Sequence, residues 1–165
     1  MSRKETDAIL PMTDYDMQNI VCKEKNYEFR RYLIAPSVCR IWFYLKAPLS
    51  HIAYICEIDP ARTRNFAAGD DPLEENGLGN KQFNEVRDGD WERVDYAYGV
   101  RSVYKLREPI SLHDMKEKYG FKMAPRGLVY VNEEIKRNVI WDEQICLWTE
   151  EIDEKENAIQ DRSKE

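Results

Sequence analysis

The sequence predicts an α+β domain centred on a mixed, mostly antiparallel β-barrel with peripheral helices, and three observations lead there. Five segments, at residues 27–32, 38–46, 52–58, 96–106 and 128–131, carry period-two alternation or short apolar runs. Short amphipathic stretches open on the capping residues Thr13 and Ser111 between them. Hydrophobic residues make up 42% and aromatic residues 12% of the 165 positions, enough for a core and too much for a disordered chain. The length fits one domain, placed over 8–148, followed by an acidic tail over 149–165.

Taken in order, Ala8 to Pro11 is a short first strand, and Thr13 then caps a helix with Asp16 three residues on in the capping-box position. Met17, Ile20 and Val21 give that helix an apolar face. In 38–46, Cys39, Ile41, Phe43 and Leu45 share one face and Arg40, Trp42, Tyr44 and Lys46 the other. The run 52–58 is apolar throughout, which predicts burial on both faces. Short connections place the strands at 27–32, 38–46 and 52–58 side by side.

Residues 59–76 hold Pro60, Gly69, Asp70, Asp71 and Pro72 and predict a long loop, the expected lid. Leu78, Phe83 and Val86 fit a short helix, and Asp88-Gly89-Asp90 turns the chain into the strand 96–106. Ser111 to Tyr119 predicts a second helix ended by Gly120. Ile135, Val139, Ile140, Ile145 and Trp148 predict a helical segment closing the domain. The tail carries seven acidic and three basic residues, so it is expected to add little to stability.

Charge and chemistry exclude several classes. A net charge of −6 rules out a protein that coats nucleic acid through a global basic excess, and any polyanion must meet a local patch. Met-Ser-Arg-Lys-Glu-Thr-Asp is too polar for a signal peptide and no apolar run spans a bilayer, which predicts an intracellular chain, cytoplasmic or nuclear, without a membrane partner. Cys22, Cys39, Cys56 and Cys146 form no Cys-x-x-Cys pair, so buried free thiols and no metal site are expected. His51 and His113 sit in contexts that predict surface or satisfied side chains. Gly77-Leu78-Gly79 lacks the third glycine or lysine of a phosphate loop, and no cofactor is expected.

The chemistry concentrates in Lys25-Asn26-Tyr27-Glu28-Phe29-Arg30-Arg31-Tyr32. Strand alternation puts Glu28 and Arg30 on one face and Tyr27, Phe29 and Arg31 on the other. Such a pair can be a salt bridge that closes a small barrel, the polar floor of a pocket where cations meet a phosphate or carbonyl and glutamate accepts from a base amino group, or both at once. Trp42, Tyr44, Trp91, Tyr96 and Tyr98 are the candidate walls on which a base would stack.

A helix ending in Ile20-Val21-Cys22-Lys23-Glu24-Lys25, followed by Lys-x-x-Glu-x-Arg, then Arg40-Ile41-Trp42-Phe43-Tyr44 and a proline before the next apolar strand, resembles the ASCH domain family of the PUA-like superfamily. The resemblance runs from about Leu10 to Val131, with Cys22 where the family usually has glycine. It implies a pseudo-barrel with a cleft lined by the Lys-x-x-Glu-x-Arg strand, and binding of RNA, modified DNA or a modified nucleoside. The ligand-binding residues it implies are Lys25, Glu28 and Arg30, joined by Tyr44 and Tyr98. A hydrolysing branch of the family cleaves N4-acetylcytidine with a lysine, a threonine and a glutamate. Carried over, these fall on Lys25, Glu28 and Glu75, and a lysine there serves as base only where burial outweighs its neighbouring carboxylates. A protein-interaction module using the tail and the 59–76 loop is the third reading.

Overall fold

The structure, a computed structural model, describes residues 6–150; the predicted tail, apart from Thr149 and Glu150, lies outside the described residues. Thr6–Met12 forms β1, and its register with Val38–Leu45 (β3) is parallel. His51–Glu57 (β4) returns antiparallel to β3, Ser102–Ser111 (β6) to β4, and Ile145–Thr149 (β8) to β6. The two-residue strand Val129–Tyr130 (β7) closes the other edge, giving the order β7-β1-β3-β4-β6-β8. Among the described residues β7 and β8 do not pair, so the mostly antiparallel sheet stays open and the expected barrel is not closed.

Each face of the sheet has its own core. Ala8, Leu10, Ile41, Phe43 and Leu45 face one side, where Met17 and Ile20 of the helix Asp14–Val21 (α1) pack on them. Ile9, Trp42, Tyr44, Ile52 and Ile55 face the other, against Met115 of Leu112–Tyr119 (α3) and Ile135 of Glu133–Asn138 (α4). The central β4 is buried at five consecutive positions, as its apolar run predicts. Both predicted caps are present: Thr13 Oγ1 accepts from the Asp16 N–H at 3.2 Å, and Ser111 Oγ from the Asp114 N–H at 3.1 Å.

Three elements differ from expectation. The predicted strand 96–106 is two strands, Tyr96–Gly99 (β5) and β6, and β5 leaves the large sheet to pair with Tyr27–Arg30 (β2) in a sheet of its own. The chain turns at Gly99, where an added Cβ would come within 2.8 Å of Asp59 Oδ2. β2 therefore lies beside β5 and not beside β3. The last predicted helix reaches only Asn138, and Ile145–Thr149 pairs as the edge strand β8. The loop over 59–76 is pinned rather than loose: Arg62 bonds both ways with the Ala97 backbone, Thr63 Oγ1 donates to Asp70, and Leu73 exchanges two bonds with the Asn84 amide of Asn80–Glu85 (α2).

Asp7 joins β1 to β3 from the inside. It is buried, its Oδ1 takes the Arg40 Nε–H at 2.9 Å and its Oδ2 the Trp42 indole N–H at 2.9 Å. Removing the acceptor of both the Arg40 Nε–H and the buried indole N–H is the costly change, so Asp7→Ala should lower stability by about 3 kcal/mol in urea unfolding.

The thiols are not uniformly buried. Cys22 and Cys146 are exposed and Cys56 fully buried, with burial first and the Glu28 charge second pushing the Cys56 thiol well above its ordinary range. Because the thiolate is the reactive form, a disulfide reagent should modify Cys22 and Cys146 within minutes and Cys56 only on unfolding, read by thiol absorbance and peptide mass.

Candidate functional site

The cleft is built where three elements converge on β2. α1 ends with Cys22 in near-helical geometry and Lys23 in the left-handed region at φ 66°, and the Lys25 N–H then bonds the Asn19 carbonyl at 3.0 Å. That turn swings the Lys25 side chain back over β2. Its Nζ lies 3.6 Å from Glu28 Oε2 and 3.8 Å from Asp16 Oδ1. On β2, Arg30 Nε stands 2.9 Å from Glu28 Oε1, and Arg30 Nη2 donates to the Pro11 carbonyl of β1 at 2.9 Å.

Glu28 is 6% exposed, so its charge needs these cations. Its Oε2 is nevertheless buried without a hydrogen bond, since Lys25 stops short of bonding distance. The Arg30 Nε–H is also buried without one, because it is not aimed along the line to the carboxylate despite the short separation. One acceptor and one donor are thus left open side by side.

The predicted site residues distribute as follows. Lys25, Glu28 and Arg30 come together, and the β2–β5 register sets Tyr98 across from Glu28 and Tyr96 across from Arg30. Tyr98 is fully buried; its hydroxyl accepts from the Ile34 N–H at 2.6 Å and donates to the Tyr32 carbonyl at 3.0 Å, holding the chain after β2, and burial pushes its pKa above the usual tyrosine value. Tyr44 and Trp42 belong to the opposite core of the large sheet. Trp91 packs edge-on to Phe29 on the far face of the small sheet. Glu75 is exposed, but its neighbours dock beside Lys25: Asn26 Nδ2 donates to Asn76 at 2.9 Å, Asn80 Nδ2 to Asn26 at 2.9 Å, and the Leu78 N–H to the Glu24 carbonyl at 2.9 Å.

Sequence reasoning missed Asp16 and the Pro11 carbonyl as members of the cleft. Asp16 carried a signal, but only as a cap; its second contact depends on where the helix end delivers Lys25. Among the described residues no group of three or more histidines, cysteines and acids could hold a metal ion, and no helix is long and apolar enough to cross a membrane.

No protein-family model matches the chain, and no curated protein matches it. Among solved structures, that of the ASCH protein from Zymomonas mobilis superposes with a TM-score of 0.55 at 21% identity, over 82% of this chain and 93% of that one. A serine-to-alanine mutant of the same protein gives 0.56 at 21%, over 87% and 99%. The chain has the ASCH fold. A tyrosine-to-phenylalanine mutant agrees, with a TM-score of 0.55, 21% identity, and coverage of 81% and 96%. In this ASCH fold, Cys22 in place of glycine carries no strain, because the positive φ falls on Lys23.

Glu28→Ala should lower stability by about 2 kcal/mol in denaturant unfolding, below the usual cost of stranding a buried partner because Arg30 keeps its bond to Pro11. Tyr98→Phe should cost about 1–3 kcal/mol through the buried Ile34 N–H left unpaired.

Proposed function

We propose that the chain is an ASCH domain of the PUA-like group that takes a nucleotide, or a modified base of RNA or DNA, into the cleft at Lys25, Glu28 and Arg30. The observation that carries this reading is the pair of unbonded buried atoms, Glu28 Oε2 and Arg30 Nε. A buried polar atom without a hydrogen bond costs about 1–3 kcal/mol, and the edge of a heterocyclic base offers the complementary donor and acceptor. Lys25 then meets a carbonyl or phosphate oxygen, and the half-buried Tyr96, on the face of Arg30, gives a ring on which the base can lie.

A hydrolase acting on an N4-acylated cytidine is the second reading, and the docking of the segment around Glu75 beside Lys25 favours it. Against it, a carboxylate at Glu28 stands where the hydrolysing relatives keep a hydroxyl, and that carboxylate is engaged by Arg30 and Lys25.

One experiment divides the two. The protein is screened by thermal shift against nucleosides, modified nucleosides and nucleotides, and incubated with N4-acetylcytidine while cytidine is followed by chromatography. Saturable binding without turnover, reduced at least tenfold in Lys25→Ala while the variant still unfolds cooperatively, is the expected result. Cytidine release that vanishes in Lys25→Ala and Glu75→Gln would overturn binding alone, and no shift with any nucleoside or nucleotide would overturn the cleft reading.

A further inference from the structure

On the opposite face of the large sheet a groove of about 450 Å³ opens at the ends of the parallel pair β1 and β3. Its floor is Pro11, Tyr44, Leu112 and Pro125, and its rim carries Lys46 and Arg126. No acidic side chain lines it. Lys46 and Arg126 are exposed, and neither makes an ion pair or side-chain hydrogen bond among the described residues. In a chain of net charge −6, two unpaired cations flanking an apolar floor form a local site for an anion with an apolar body.

Pro11 belongs to this groove and to the cleft at once. Its ring lines the groove, while its carbonyl receives Arg30. β7 pairs with β1 at Ala8 and Ile9 and runs no further, so the edge of β1 at Pro11 is crossed by Arg30 instead of by a strand. The cleft and the groove therefore meet across one edge residue, with Lys25 and Arg30 on one side and Lys46 and Arg126 on the other.

We infer that the groove is a second subsite for a single strand of nucleic acid, which passes over β1 at Pro11 with one base in the cleft and the adjoining phosphodiester and base on Lys46, Arg126 and the Tyr44 floor. This rests on the nucleotide reading of the cleft and extends it from a single nucleotide to a strand. The shared chemistry is a phosphodiester carrying a flat apolar ring, with RNA and DNA as its two sources.

The test uses fluorescein-labelled single strands of eight nucleotides and random sequence, one RNA and one DNA, titrated by anisotropy at several salt concentrations. A mixture of nucleoside 5′-monophosphates is scored beside them by thermal shift. Lys46→Ala/Arg126→Ala should weaken binding of the strand about tenfold and reduce the salt slope by about 0.7, the contribution of the one phosphodiester they hold, with the mononucleotide shift unchanged. Both side chains are exposed, and an unaltered melting temperature confirms the fold. Lys25→Ala should diminish both signals. A strand affinity and salt slope in the double variant equal to those of the wild type overturn the groove and leave the cleft standing. Loss of strand binding in the double variant while Lys25→Ala has no effect on either signal keeps the groove and removes the cleft. Absence of strand binding by the wild type overturns the groove, with the mononucleotide shift then judging the cleft alone. Displacement of the strand by an eight-residue polyglutamate as effectively as by unlabelled RNA or DNA overturns it too, because the groove would then be a surface for any polyanion.

Discussion

A carboxylate held out of water at Glu28 sets terms for everything packed around it. Moving such a charge into the protein costs several kcal/mol unless cations accompany it, and here they come from two directions. Arg30 supplies one from the same strand and is itself held by the Pro11 carbonyl of β1, which locks the small sheet to the large one. Lys25 supplies the other from the turn after α1, so the geometry of that helix end is written into the charge balance of the cleft. The same charge reaches the large sheet, where it helps keep the Cys56 thiol protonated.

The two sheets are coupled by continuous chain as well as by charge. β5 and β6 are one run of sequence bent at Gly99, so the partner of Glu28 across the small sheet and the strand pairing with β4 cannot shift independently. Asp59 and Arg101 close the bend: the Asp59 N–H bonds the Gly99 carbonyl, the Arg101 N–H bonds the Glu57 carbonyl, and their side chains pair at 3.4 Å. That surface pair is half exposed, so the backbone bonds define the corner.

How much of this was legible in the sequence depends on the range of the interaction that decides each feature. Strands 38–46 and 52–58 and the caps at Thr13 and Ser111 are set by neighbours two to four residues away, and they appear within a residue of where the pattern places them. Alternation likewise put Glu28 and Arg30 on one face. The switch of sheet at Gly99 was hidden because the apolar alternation runs through it unbroken; an isolated glycine within a strand was the signal. Ile145–Thr149 looked helical by spacing, yet pairing with β6 outweighed local preference. Tyr44 was assigned to the cleft from its aromatic character, and only the side of β3 on which it stands, fixed by the helix packing of both cores, places it elsewhere.

The indole of Trp148 donates to the Val21 carbonyl at 3.1 Å, across 127 residues of chain. Val21 is the last residue of α1, immediately before the turn that delivers Lys25. During synthesis the segment bearing Lys25 and Glu28 leaves the ribosome early, but its brace is among the last parts of the domain to arrive. The nascent chain thus carries an unsupported helix end until β8 emerges, and long-range closures of this kind slow folding. Within this domain the cleft is thus completed only when β8 emerges, long after Lys25 and Glu28 have been made.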